Sequence, residues 1–460
     1  NETLKQYNLG DGSSIYTPQS GKSESSLNSL IARVNYTFLK RYNATTTLRA
    51  DNSSRFAAHH RWGYFPSLGL SWNIDREPFL QGKLSWLDNL KLRVSGGMVG
   101  NQEISDYNFS TSYSTGSYNG TSSYAKSTSV NDNLKWETTA SYNIGLDAGL
   151  FDERLNIVLD AYYKKTSDLL LNVPAGFSSG VTTQLQNVGN VVNRGIELTL
   201  DGTLIKHRNI SWTANATFAT NHNEITSMGT ASDIILGDAN QQILRKGESL
   251  GSFYGLQFAG IVQKGADVSK LPTINGKTPS AGDAIFVDTN HDHKIDVNDR
   301  VVLGSVQPAF TYGFGSQLKW NRFDASIAFS GSYGNKLYNA LGRRLEQTGD
   351  SYNVLTTILN AWTPENASNT LALPSTTRPF SYIDSRYVQS ASYLKLRNLT
   401  IGYQLPLPKD FHAKIRIALT GSNLLTFSPY KGFDPEVASG TDNGAYPASR
   451  NLVLSANITF

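Results

Sequence analysis

A period-two alternation of apolar and polar residues, returning in segment after segment between short charged turns, most limits what this chain can become. In "NLVLSANITF" (451–460), Leu452, Leu454, Ala456 and Ile458 share one face, and Ser455, Asn457 and Thr459 share the other. Successive side chains of an extended backbone point to opposite sides, so this spacing makes a strand and not a helix. The segment stops on an aromatic residue, Phe460, with no polar tail.

The same grammar recurs in pairs. "SLIARVNYTFLKRY" and "NATTTLRAD" form a predicted hairpin, as do "TASYNIGLDAGL" and "RLNIVLDAYY" around residues 151–154. "RGIELTLDGTLI" pairs with "NISWTANATFATN", "AFTYGFGSQLKW" with "FDASIAFSGSYG", and "KIRIALTGSNLL" with "NLVLSANITF". Adding "YFPSLGLSWNI", "NLKLRVSGGMVG", "SFYGLQFAGIV" and "YLKLRNLTIGYQL" gives roughly fourteen strands of about ten residues, enough for a tilted strand to cross a bilayer. In "SYLKLRNLTIGYQL" the phase slips between Leu396 and Leu399, which predicts a β-bulge near Arg397 and Asn398.

Composition alone leaves two sheet classes open. Only 39% of the 460 residues are hydrophobic and the mean hydropathy is negative, while no run of about 18 apolar residues exists for a membrane helix. A barrel hides its lipid face in alternate positions, so such averages suit it as well as a soluble sheet. Two features favour a membrane barrel. The non-apolar face is built of Thr, Ser, Asn, Gly, Asp and Arg, which suits a wet lumen, and charged residues reach only 17% overall. The connections also alternate: "LKRYN", "LFDER", "IKHRN" and "KWNRF" are tight, whereas the stretches near 100–136, 221–251, 262–308 and 332–391 are long and rich in Tyr, Gly, Ser and Asn. Tyr64, Trp72, Trp136, Tyr162, Tyr163, Trp212, Trp320 and Tyr403 near strand ends read as interfacial girdles. Within 332–391, "NKLYNALGRRLEQ" and "NVLTTILNAW" have the spacing of short amphipathic helices.

Net charge is +4 with no basic block, which argues against nucleic acid as a partner. The chain has no cysteine, as fits an envelope protein without disulfides and many cytosolic proteins too. The start, "NETLKQYNLGDGSS", lacks a charged end followed by an apolar stretch, so an upstream portion is expected for an exported protein.

The segments "LRADNSSRF" (48–56), "RWGYFPSLGLSW" (61–72), "LKLRVSGGMVGNQEISDY" (90–107), "NDNLKWETTASYNIGLDAGLFDERLNIVLDAYYKKTSDLLL" (131–171), "NVGNVVNRGIELTLDG" (187–202) and "ASYLKLRNLTIGYQLP" (391–406) resemble the SusC/RagA-type TonB-dependent transporters of the Bacteroidetes outer membrane. The resemblance runs over nearly the whole chain. It implies an all-β transmembrane antiparallel β-barrel plugged by an N-terminal domain. It also implies a SusD-like surface lipoprotein as partner, the TonB complex as energy source, and oligosaccharide or peptide cargo. Such barrels close with ~22 strands. Residues 1–460 are therefore expected to be the C-terminal part of the wall, with 262–308 and 332–391 as extracellular loops. Plug, TonB box and remaining strands are expected on a companion chain, since open sheet edges are costly in lipid. The resemblance further makes Phe460 an assembly signal. A passive porin, an outer-membrane enzyme and a soluble carbohydrate-binding β protein are the rival readings.

One motif carries cation chemistry. "DTNHDHKIDVND" (288–299) places Asp288, Asn290 and Asp292 at positions 1, 3 and 5 of a calcium loop, the Lys294 carbonyl at 7, Asp296 at 9 and Asp299 at 12. Oxygen donors at these intervals can wrap Ca²⁺. His293 stands where the loop usually has glycine, and position 12 carries the shorter Asp. An acidic turn closed by Asx hydrogen bonds is the alternative. His291 and His293 lack a third soft ligand nearby, which disfavours a transition metal. His59 and His60 fall in a turn. No nucleophile elbow, spaced triad or phosphate loop is present, and "GSYGNK" (331–336) lacks the P-loop pattern. Loop tyrosines such as Tyr107, Tyr113, Tyr118, Tyr124 and Tyr352 have the chemistry to stack on sugars, though none stands out.

Overall fold

The computed structural model describes residues 22–460 apart from 119–120, 129, 230–232, 238, 240, 347–352, 375–381 and 409–411. Fourteen strands form one antiparallel sheet. They are β1 (Leu27–Phe38), β2 (Tyr42–Ser53), β3 (Trp62–Asn73), β4 (Leu87–Asn101), β5 (Glu137–Leu150), β6 (Leu155–Ser167), β7 (Asn190–His207), β8 (Ile210–Thr220), β9 (His222–Ser227), β10 (Phe310–Trp320), β11 (Phe323–Tyr333), β12 (Tyr393–Gln404), β13 (Lys414–Phe427) and β14 (Asn451–Thr459). The order is a meander in which sequence neighbours pair; β8 and β9, separated by Asn221, both lie against β7. All five predicted hairpins form, with closing pairs such as Phe38 and Tyr42, Leu150 and Leu155, and Trp320 and Phe323. The sheet is open: among the described residues β1 pairs only with β2, and β14 only with β13.

Register converts the alternation into two faces. Leu70, Val94, Ile144, Ala161 and Ile196 stand side by side across β3 to β7, and Ala325, Ile401, Leu419 and Leu454 do so across β11 to β14. Most of these large apolar side chains are exposed, as a lipid-facing wall requires. No helix among the described residues is long and apolar enough to cross a membrane. Aromatic rows mark both ends. Phe38, Tyr42 and Trp72 follow one another at about 6.4 Å at the short-turn end, and Phe323 meets Tyr403 at 4.6 Å there. Trp62 stacks on Tyr64, and Phe310 on Tyr333, at the other end.

The opposite face is polar and is locked by side chains that reach across a strand of glycine. Arg93 on β4 passes over Gly145 on β5 to Asp160 on β6 at 3.0 Å, while also binding Asp147 at 2.7 Å. Arg416 on β13 passes over Gly402 on β12 to Asp324 on β11, its Nε donating at 2.8 Å. A Cβ at either glycine would collide with the guanidinium or carboxylate above it.

Four expectations need correction. "SFYGLQFAGIV" does not enter the wall: Ser252–Leu256 and Phe258–Ile261 lie in small sheets of the 228–309 insertion. Ser252–Leu256 is buried on both faces, pairing with Arg300–Ser305, so its apolar residues serve a cap core and not lipid. The expected loops 221–251 and 262–308 are thus one folded unit. Among the described residues of 332–391 only Ala340–Glu346 (α1) is α-helical, and Thr356–Asn360 is a 3₁₀ turn. Leu337 sits in a strand, Lys336–Asn339, because it and Tyr338 are buried between Val388–Ser390 and Thr441–Asp442. Trp136 is no girdle residue: it is buried against Phe56 and Phe65. Tyr162 turns to the polar face, where its hydroxyl reaches the Thr220 carbonyl at 3.2 Å. The predicted bulge is present, the pairing of β12 skipping Arg397.

Candidate functional site: the 288–299 loop and the cap around it

The segment 288–299 is a chain of side-chain-closed turns. Asp288 Oδ2 accepts from the backbone N–H of His293 at 2.8 Å, and Asp288 Oδ1 from that of Asp292 at 3.3 Å. Asn290 Oδ1 accepts from the same Asp292 N–H at 3.1 Å, and Asp292 Oδ1 from that of Lys294 at 2.8 Å. His293 has φ +61°, the left-handed geometry for which position 6 of a calcium loop normally uses glycine. Histidine thus preserves the shape that its identity put in question. Ile295, at the apolar position, is buried against Leu256, Ile274 and Phe286. The Lys294–Ile295 strand runs parallel to Thr273–Ile274.

Asp299 does different work from its neighbours. It is fully buried, with Oδ1 accepting from Thr289 N–H and Oδ2 from Asp296 N–H, both at 2.8 Å. Asp296 answers by accepting from Asn298 N–H at 2.7 Å, a reciprocal cap on the short helical turn Val297–Asp299. Asn290 and Asp292 are exposed and Asp288 is half-buried. Among the described residues no three His, Asp or Glu side chains converge at metal distance, so any cation here would draw also on Asn290 and on the Lys294 carbonyl.

The loop is welded to the cap through Arg300. This buried guanidinium lies 4.3 Å from the Tyr254 ring and 4.9 Å from that of Tyr382, and donates to the Tyr254 carbonyl at 2.7 Å. Burial pushes its pKa down, with the two tyrosines opposing. Nearby, Arg386 holds Asp384 at 2.9 Å and covers the Phe258 ring at 4.3 Å. Burial lowers the Arg386 pKa, but the Asp384 carboxylate more than offsets this and the net direction is up.

A second cluster, which the alternation did not signal, anchors the 428–450 connection. Lys395 on β12 is buried, with Nζ at 2.7 Å from Asp434 and 2.6 Å from Glu436. Glu436 also receives the Tyr393 hydroxyl at 2.6 Å and the Arg397 guanidinium. Burial pushes the Glu436 carboxyl up, yet Arg397, Lys395 and Tyr393 together hold it down at about 2. The available signal was two cations two residues apart on β12 and the acidic pair in "FDPEV" (433–437).

Other expected residues stay apart. Tyr107, Tyr113 and Tyr124 are exposed and distant in sequence from the cation loop; the side chain of Tyr118 and residue Tyr352 lie outside what is described. The rings of His59 and His60 lie 4.4 Å apart, tilted by 54°, in the β2–β3 connection. Phe460 is 96% exposed just past β14.

The family model for a TonB dependent receptor-like β-barrel matches residues 2–424. The chain is 34% identical to TonB-dependent receptor P3 of Formosa agariphila over 98% of its own length and 47% of that protein. It is 31% identical to TonB-dependent receptor SusC of Bacteroides thetaiotaomicron over 94% of its length and 43% of the relative. A structure of the RagAB peptide transporter aligns with a TM-score of 0.81 at 29% identity, covering 99% of this chain and 50% of that one. The chain spans about half the length of the curated relatives it matches.

Proposed function

Because the chain belongs to the TonB-dependent receptor-like β-barrel family, we propose that it forms wall and cap of an importer of oligosaccharides or peptides. The importer sits in the outer membrane of a Bacteroidetes-like bacterium, is driven by the TonB complex, and works beneath a SusD-like lipoprotein. The observation that carries this reading is the likeness of 99% of this chain to half of a chain of the RagAB peptide transporter, reinforced by an exposed apolar face and a polar one on the sheet. Further strands and a plug, on a companion segment or chain, complete the transporter. The open edges at β1 and β14 support this, because each unpaired backbone group left in lipid costs several kcal/mol. The role is transport and not catalysis.

The test is uptake of labelled glycans and peptides by cells with and without the locus, in TonB-competent and TonB-deficient backgrounds, with pull-down of the chain to recover its lipoprotein. Loss of uptake in both deletions supports the reading; uptake that persists without TonB makes the protein a porin.

The 288–299 loop is assigned a structural Ca²⁺. Its support is an all-oxygen donor set and a position 6 already in the required left-handed geometry. Asp288, Asn290, Asp292, the Lys294 carbonyl, Asp296 and Asp299 would hold the ion, which would pin the insertion by bridging four carboxylates and offsetting half of their charge.

A further inference from the structure

The outward, apolar face of the sheet is nearly bare of ionisable side chains. Followed by register from β1 to β14, the described strand pairs place Lys, Arg, His, Asp or Glu on that face at Lys165 on β6, at Arg194 and His207 on β7, and at His222 and Glu224 on β9. His207 stands by itself beside the turn that joins β7 to β8. The other four stand together at the long-loop end. Arg194 lies opposite Tyr163 on one side and His222 on the other, and one step further out Val192 lies between Lys165 and Glu224. Toward the middle of the sheet the same face continues as Ala161 beside Ile196 and Leu159 beside Leu198. The patch thus stands at the edge of the apolar band, where a charged side chain costs far less than at its centre.

Its charge is net positive. Glu224, the one acid of the patch, is engaged by His222 at 3.4 Å. Lys165 and Arg194 are both exposed, and neither side chain makes a hydrogen bond or ion pair among the described residues. They are diagonal neighbours on adjacent strands, with backbones on the order of 7–8 Å apart. Their long stems let both charged heads rise to the headgroup layer and meet one anion there. A guanidinium grips phosphate through two parallel N–H donors, and an ammonium adds a compact charge. Tyr142 and Tyr163, exposed and opposite one another, mark the level of that layer. Two other occupants fit less well. Further strands would join at β1 and β14, the far ends of the sheet. A second copy across a two-fold axis would set the same two cations against themselves.

We propose that Lys165 and Arg194 form a docking site for the phosphate headgroup of an outer-leaflet lipid. The proposal rests on the chain being an outer-membrane wall with its long loops outward, and not on its cargo. It is tested on the complete transporter, purified from outer membranes and delipidated in detergent, by native mass spectrometry during titration with lipid A and with dephosphorylated lipid A. Lipid A should bind about tenfold more tightly, since each basic side chain near a membrane surface adds to the attraction of anionic lipid. Lys165→Gln with Arg194→Gln should erase that preference, and the exchange Lys165→Arg with Arg194→Lys should keep it. Lys164→Gln removes the same charge one residue away on the polar face, where Lys164 Nζ lies 4.9 Å from the Tyr162 ring, and should leave the preference unchanged. Heat-modifiable gel mobility confirms that each variant is folded. Equal binding of the two lipids, an unchanged preference in the double Gln variant, displacement of lipid A by an equal concentration of inorganic phosphate, or a changed subunit number in place of a lost preference would each overturn the proposal. Such a failure leaves TonB-dependent uptake intact, whereas failure of the import reading leaves the lipid preference intact.

Discussion

At Glu436 three donors converge on one carboxylate, and its acidity follows from the competition between their attraction and burial. A depressed folded pKa means that the stabilisation is fully present above the ordinary carboxylate value of about 4.3. It is lost as pH falls toward about 2. Pepsin cleavage in 428–450 should therefore rise steeply on acidification through that window, and Glu436→Gln should give a nicked connection already at its upper edge. Lys395→Met leaves two acids facing Arg397 alone, and a cost of roughly 3 kcal/mol is expected from breaking a buried pair, read as a lower urea midpoint. Glycine acts at the same scale. Gly402→Val or Gly145→Val should destabilise the wall by about 1–3 kcal/mol by displacing the ion pair above it. Gly69→Val should be near neutral, because a Cβ there meets only Ser95 at 3.9 Å.

Among elements, the 228–309 insertion shows how a connection becomes a folded unit: Leu256, Ile274, Phe286 and Ile295 give it an apolar core, and Phe253 joins a second core with Tyr338, Ile383, Tyr387 and Val388 of the neighbouring insertion. The 288–299 loop, the proposed Ca²⁺ site, belongs to it. Chelation with EGTA should increase proteolysis between 262 and 308 several-fold, and re-added Ca²⁺ should reverse it. Asp288→Ala with Asp292→Ala should reproduce the chelated pattern without further sensitivity to EGTA. A cleavage rate indifferent to chelator would mean that the Asx turns alone hold the loop. Asp299→Ala should destabilise the insertion with or without Ca²⁺, since the fully buried carboxylate closes two backbone N–H groups by itself.

For the whole molecule the open sheet is the governing fact. Thirteen of its fourteen strands lie along one path whose ends, β1 and β14, each have a free side among the described residues. Expressed alone, residues 1–460 should fail to give a heat-modifiable band in liposomes, and co-expression with the remainder of the transporter should restore it. Deleting Phe460 from the complete protein should lower its surface level by impairing insertion; an unchanged level would refute an assembly role for this exposed ring.

Most of the wall was legible beforehand because a lipid-facing strand must alternate, and alternation is a local property. Every predicted hairpin pairs as expected, and even the bulge at Arg397 shows as a slip in phase. The 288–299 segment stood out as a spacing of oxygen donors, and only the backbone revealed that His293 takes the glycine-like conformation. Periodicity failed in the cap. "SFYGLQFAGIV" and "NKLYNALG" carry strand and helix patterns, but burial on both faces sends the first into a cap sheet and puts Leu337 in a strand. The Lys395 cluster was invisible because its members lie far apart in sequence and meet only through tertiary contact. The sequence by itself determined which residues face lipid, since that choice is made one strand at a time. Only the tertiary structure decided which charges share a buried site, since that depends on how separate insertions fold against one another above the barrel.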